Sequence, residues 1–177
     1  QSFPFTKGVK QGEGNVLQSS VGKSTPYEVD KDWRPITFSE SGKAEPAEVI
    51  FAGYGLQTQK SKDWPEYDSY VHLEVKGKWV MVLRYLPNGW NKKRRDKLWG
   101  HAALIKKAAI ARDLGAAGII FVTGPNAKER KELVRFSSDS SAGISLAAIS
   151  VSDKVAGDLF SSAGNDLKKT HDDLDKG

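Results

Sequence analysis

Three short stretches of this 177-residue chain carry residue types and spacings that could do chemistry. Gly22-Lys23-Ser24-Thr25 matches the ending of a phosphate-cradling loop, where backbone N–H groups and a lysine hold phosphates. Such a loop needs a glycine five positions before Gly22, where Leu17 stands, and a helix afterwards, where Pro26 stands. The match is therefore read as coincidence. Gly53-Tyr54-Gly55 follows an apolar run, as the start of a dinucleotide fingerprint does. Thr58 occupies the place of the third glycine and no helical pattern follows, so these residues predict a sharp turn. Gly143-Ile144-Ser145-Leu146-Ala147 resembles a nucleophile elbow that lacks its last glycine. Ser145 opens a strand instead of joining strand to helix, which makes it a structural serine.

Metal and acid–base chemistry have little to work with. His72, His101 and His171 show no helical or turn spacing for a shared metal. His171-Asp172-Asp173 has the His-x-Asp spacing that zinc peptidases use, but it lies in a polar tail, and a solvated helix face is the better reading. Glu66 and Asp68 are paired carboxylates in a loop, with nothing in the sequence to shift their pKa values for proton transfer. Zero cysteines exclude disulfides, thiol catalysis and cysteine zinc sites. No catalytic, cofactor-binding or metal-binding residue is assigned.

The charge is local. Residues 91–112 hold Lys92, Lys93, Arg94, Arg95, Lys97, Lys106, Lys107 and Arg112 against Asp96, a net +7 that leaves the rest of the +5 chain slightly acidic. Trp90 and Trp99 flank the densest part. Cations interleaved with rings can hold an anionic partner, so Trp90, Lys92, Lys93, Arg94, Arg95 and Trp99 form the candidate interaction loop. A solvated loop and charged helix face explain the same pattern. No nucleic-acid fold signature accompanies it, and no nucleic-acid partner is expected.

The elements that would position these residues follow from periodicity. Seventeen aromatic residues (five Trp, five Tyr, seven Phe) and 38% hydrophobic content support one core. No apolar run approaches the ~20 residues of a membrane span. The start at Gln1 has no signal-peptide pattern. That start and the lone Met81 suggest an excised piece of a longer polypeptide. Residues 1–26 read as extended or loop structure, Tyr27–Asp30 and Pro35–Ser39 as short strand pieces, and Ala47–Gly53 as a buried strand. Val71, Leu73 and Val75 alternate with His72 and Glu74, predicting a half-buried strand. Trp79–Leu83 and Gly118–Val122 read as buried strands joined by a helix from about Leu98 to Leu114, with Leu98, Ala102, Ile105 and Ala109 facing inward. That unit requires a parallel pair. Ala127–Arg135 reads as a charged segment of helical character, and Ile144–Val151 as a strand. Ser152 caps a short helix that ends near Gly164. A last polar helix carries Leu167 and Leu174. The class is mixed α and β.

The order of these segments resembles a known family. Phe51-Ala52-Gly53-Tyr54-Gly55-Leu56 is followed by Tyr67-Asp68-Ser69-Tyr70, then by Leu73-Glu74-Val75-Lys76-Gly77-Lys78-Trp79-Val80-Met81-Val82-Leu83. Next come Lys106 to Ile120, which includes Gly115-Ala116-Ala117-Gly118, and then Ile149-Ser150-Val151-Ser152. This succession, with Asp32-Trp33-Arg34-Pro35 as a lead-in, is similar to the protease-associated (PA) domain. The closest likeness is to the version inserted in zinc-dependent aminopeptidases of the transferrin-receptor and glutamate-carboxypeptidase superfamily. Ser69 stands where the family often has a second Asp, and Pro87–Trp99 is longer than the shared pattern requires.

The resemblance implies a β-sandwich or open β-barrel with flanking helices, the swivelling β/β/α type, over residues 27–177, with 1–26 an extended segment packed on it. It implies a non-catalytic module of a secreted bacterial peptidase, extracellular or periplasmic, that governs substrate access or binds proteins. Its partners would be the peptidase domain of the same polypeptide and a peptide or protein substrate. Zinc would sit in that other domain, with no cofactor here. Two rivals stand beside this reading: a stand-alone module that binds an anionic partner through residues 90–99, and a small hydrolase using Ser145 or His171.

Overall fold

A computed structural model of the chain describes residues 9–21, 26–128, 132–137 and 143–176. Five strands form one open mixed sheet: β1 (Trp33–Pro35), β2 (Val49–Phe51), β5 (Trp79–Leu83), β6 (Gly118–Val122) and β7 (Ala147–Val151), in the order β1-β7-β6-β5-β2. β2, β5, β6 and β7 are parallel, and β1 runs antiparallel to β7, with Trp33 opposite Val151. A separate two-stranded ribbon pairs β3 (Gln57–Thr58) with β4 (Tyr67–Asp68). The helices are α1 (Lys92–Leu98), α2 (Leu104–Asp113), α3 (Asp153–Ser162) and α4 (Leu167–Lys176), with a 3₁₀ turn over Trp99–Ala102 between the first two. The expected mixed α and β class is what forms. The large sheet is open and not a closed barrel, and among the described residues the one other sheet is this ribbon.

Strand alternation sends side chains to two cores. Met81, Leu83, Ile120, Val122, Ile149 and Val151 pack with Trp33, with Val155, Ala156 and Phe160 of α3, and with Leu167 of α4. Val80, Val82, Ile119, Phe121 and Ala148 pack with Ala108 and Ala111 of α2 and with Val75, Ile144 and Leu146. A sheet covered on both faces explains why β5 and β6 read as unbroken apolar runs.

Several expectations need correcting. The basic stretch 92–98 is helix α1, capped by Asn91, whose side-chain oxygen accepts the Arg94 N–H at 2.9 Å. The single helix expected from Leu98 is broken by the 3₁₀ turn at Gly100, a residue with poor helix propensity. The buried face of α2 is Lys107, Ala108 and Ala111, with Leu104 half-buried, whereas Ile105 is exposed. Val71–Val75 is not a strand: His72 takes φ 63°, and the segment turns, so that Val71 is exposed and Val75 buried. β2 is a half-exposed edge strand, not a buried one. Tyr27 and Val29 make only isolated bridges, Tyr27 to Leu17 and Val29 to Trp33. Pro35 ends β1, so the piece expected at 35–39 lies two residues earlier. Residues 127–128 and 132–135 are not helical, and 129–131 fall outside the described residues. Ser152 caps α3 as expected, its hydroxyl accepting the Val155 N–H.

Candidate functional site

Because β2, β5, β6 and β7 are parallel, their carboxyl ends share one edge of the sheet. The segments leaving that edge carry Tyr54, then Arg84 to Asn88, then Thr123 to Asn126, then Ser152 and Asp153. α4 reaches across to three of them. The Asp175 carboxylate accepts hydrogen bonds from the Tyr54 hydroxyl, from the Asn88 backbone N–H at 2.9 Å, and from the side-chain amides of Asn88 at 3.0 Å and Asn126 at 2.9 Å. Asn126 also donates to Asp172 at 2.9 Å. The backbone approaches closely here, because a Cβ on Gly89 would lie 1.8 Å from the Asp175 carbonyl oxygen.

Four donors on one carboxylate favour its charged form. Burial works against the charge on Asp175, but the bonds from Tyr54, Asn126 and Asn88 together outweigh it and hold the carboxyl below its usual range. Burial, and then the bond to Asp175, push the Tyr54 phenol up, so it stays protonated and donates.

His171 is 2% exposed. Its Nε2 lies 2.9 Å from the Tyr54 hydroxyl. The Tyr54 proton goes to Asp175, so Nε2 carries the hydrogen and donates, a tautomer assigned from the network. Nδ1 is then a bare lone pair, buried and without a partner. It faces Gly124, where a Cβ would come within 2.6 Å and where φ of +82° favours glycine. Burial lowers the His171 pKa against the pull of Asp175, Asp153 and Asp172. Protonation would put an N–H where no acceptor waits. The solvated face expected for His171 is thus wrong: four- and three-residue steps place Leu167, His171 and Leu174 on one inward stripe of α4.

Below this cluster sits Lys107, also fully buried. Its Nζ donates to the Leu83 and Tyr85 carbonyls, each at 2.8 Å, and lies 5.8 Å from the centre of the Tyr54 ring. Burial, with a smaller push from Arg84, lowers its pKa well below the usual lysine value. Tyr85 is held at φ 65°, a conformation that costs a bulky residue about 1–3 kcal/mol. The edge therefore works as a clamp: a carboxylate kept ionised, a neutral imidazole and a buried amine fasten α4 and the β5 loop to the strand ends.

The candidate interaction residues sit in different surroundings. Lys92 and Lys93 are exposed, and Lys93 pairs with Asp63 at 2.9 Å. Arg94 lies 3.7 Å over the Trp90 ring, which meets Tyr67 edge to face at 5.1 Å. Arg95 donates to the Pro87 carbonyl at 3.2 Å and to the Asn88 side-chain oxygen at 3.1 Å, so it braces the clamp. Trp99, beyond α1, is 58% exposed.

No protein-family model, curated protein or solved structure matches the chain.

Gly53 (φ 50°) and Gly55 (φ 61°) make the sharp turn that delivers Tyr54 to the clamp. Gly22–Thr25 lie outside the described residues. Ser145 sits at φ 51° just before β7, not at a strand-to-helix elbow. His72 is exposed in a turn, and His101 lies in the 3₁₀ turn. Glu66 is exposed, and Asp68 accepts the Tyr70 N–H and the Gln57 amide. Among the described residues no group of three or more His, Asp or Glu is placed to hold a metal ion. No helix of the described residues is long and apolar enough to cross a membrane. Sequence reasoning missed Asn88, Asn126 and Asp175. Their only local signal is that both asparagines follow a Pro just past the end of a buried strand.

Proposed function

We propose that the chain is a non-catalytic accessory module of protease-associated type, working beside the catalytic domain of an exported zinc aminopeptidase and tuning which peptides reach it. The observation that carries this reading is the clamp. In open parallel sheets, ligands enter a crevice outside the carboxyl ends of the strands, where the strand order reverses. Here the parallel strands lie in chain order, β2-β5-β6-β7, with no reversal, and α4 is fastened to that edge through Asp175. A sheet whose usual reaction crevice is occupied by its own helix suits a binding part better than a catalytic one. The succession from Phe51 to Ser152, read as PA-like, supports the same conclusion.

The test has two arms. The purified chain, supplied with zinc and aminoacyl p-nitroanilides, is expected to match the enzyme-free rate. Added to a zinc aminopeptidase domain that lacks an insert, it is expected to change KM for long peptides more than for aminoacyl anilides. Zinc-dependent turnover by the chain alone overturns the reading.

A second reading is favoured by a separate observation. Lys92, Lys93 and Lys97 are exposed on the single helix α1, which suits attraction of an anionic partner. Retention on a sulfated matrix that collapses with salt, and collapses also when these three lysines become alanine, is the expected result.

A further inference from the structure

Beside α1 runs a groove of about 380 Å³, lined by Arg84, Tyr85, Trp99, Ala102, Ala103 and Leu104, with Gly100 at its lip. Its floor is apolar. One wall is the exposed Trp99 ring. The other is Tyr85 with the Arg84 guanidinium 4.9 Å from its ring centre. Arg84 donates to the Thr123 hydroxyl at 3.0 Å, so it is fixed in place. The Lys106 ammonium stands at the lip, 3.5 Å from where a Gly100 Cβ would be.

We propose that this groove docks an acidic peptide segment of a partner protein, taking one aromatic or large aliphatic side chain between Trp99 and Tyr85 while carboxylates meet Lys106 and the α1 lysines. The proposal deepens the second reading above, the anionic partner of the basic face, and rests on it.

The wall is built at a cost that packing alone does not require. Tyr85 adopts a left-handed backbone rare for a bulky residue. Lys107, itself buried, pins that corner by bonding the carbonyls on either side of Arg84. Strain held in place by a buried lysine is the mark of a surface kept in one shape. Charge supplies the other half of the argument: Arg84 lines the groove, Lys106 stands at its lip, the exposed Lys92 and Lys97 lie on the helix that leads into Trp99, and the only acid in 91–112 is Asp96. An exposed tryptophan with a cation beside it is also the composition of an interface anchor. Single-stranded nucleic acid fits less well, because it stacks on successive rings. One face of Tyr85 already carries Arg84, so the groove offers no run of successive open rings.

The test is fluorescence anisotropy with a labelled oligoglutamate peptide bearing one phenylalanine. Controls are the same peptide with glycine in its place and an oligothymidylate. The phenylalanine peptide is expected to bind, with affinity falling as salt rises. Trp99→Ala is expected to weaken it about tenfold, and Lys106→Glu at least about threefold. Both positions are exposed, and unchanged circular dichroism melts confirm folding. Equal binding of the glycine peptide, with Trp99→Ala silent but the α1 lysine variant defective, overturns the groove and leaves the basic-face reading standing. Tighter binding of oligothymidylate overturns the peptide assignment. No binding of either peptide overturns both.

Discussion

Asp175→Asn is the sharpest probe of the clamp. One carboxylate oxygen receives the Tyr54 hydroxyl and the Asn88 backbone N–H, and the other receives the two asparagine amides. An asparagine keeps one acceptor and turns the other into a donor. If its NH₂ replaces Oδ1, it meets a backbone N–H that cannot turn away. If it replaces Oδ2, it meets two amides, and the Asn88 amide is itself held in orientation by Arg95 on its oxygen. Either way two donors lose their acceptor. Each buried donor left unmade costs about 1–3 kcal/mol. The Asp175 side chain is 14% exposed, so water recovers part of that. The net expectation is about 2–4 kcal/mol, which for a chain of this length lowers Tm by roughly 5–12 °C. Calorimetric melts of wild type, Asp175→Asn, Tyr54→Phe and the double variant provide the measurement. The two substitutions should be non-additive, because each removes the same bond. A single-variant loss under about 0.5 kcal/mol, or strict additivity, would refute the clamp.

Three further outcomes follow from the same geometry. The folded pKa of His171 lies below its unfolded value near 6.5. The unfolded chain therefore binds more protons between the two, and stability is full above about pH 6.5 and declines as pH falls toward the folded value. His171→Leu should flatten that decline in urea midpoints measured from pH 7.5 to 5, and an unaltered slope would assign it elsewhere. Asp175, held low, adds stability above the usual carboxylate pKa that is lost as pH falls through its folded value, and Asp175→Asn should remove that lower-pH step and, by taking away the pull on His171, move the His171 step to lower pH. Gly89→Ala pushes a Cβ into the Asp175 backbone and should cost more than about 2 kcal/mol, detectable as faster hydrogen exchange in α4. Arg95→Ala should cost about 1 kcal/mol through its bonds to Pro87 and Asn88, whereas Lys92→Ala, on an exposed side chain, should stay within about 0.5 kcal/mol.

What could be read in the sequence was whatever is local. The apolar runs at 79–83 and 118–122 are buried parallel strands because both faces of the sheet are covered, and Ser152 caps a helix as its position promised. The inward face of α2 was misjudged because a lysine occupies its centre, and binary patterning cannot foresee a lysine satisfied by the carbonyls at and beyond the end of a neighbouring strand. Alternation at 71–75 misled for the opposite reason: the pattern suits a strand, but His72 turns the backbone out of the extended region. Helix α1 was hidden by having no apolar stripe, although Asn91 before it carried the capping signal. The candidate site was the least legible part. Its donors come from residues 54, 88, 126 and 171 and its acceptor is Asp175, and only the parallel packing of distant strands brings them within hydrogen-bond range. His171 left a trace in its register with Leu167 and Leu174, and Asn88 and Asn126 left a fainter one in the prolines before them.

The antiparallel pairing of β1 with β7 has a consequence for biogenesis. Residues 79–122 form a contiguous unit that can assemble as soon as it leaves the ribosome, but Trp33 cannot find Val151 until the strand that bears it has emerged. One side of the new sheet, Ile120 and Val122 included, also waits for Val155 and Phe160 to cover it. At translation speeds of about 5–20 residues per second, residues 123–162 take roughly 2–8 s to appear. For those seconds the nascent chain presents a sticky, half-finished surface, and the rate at which it is translated bears directly on how much of it escapes aggregation.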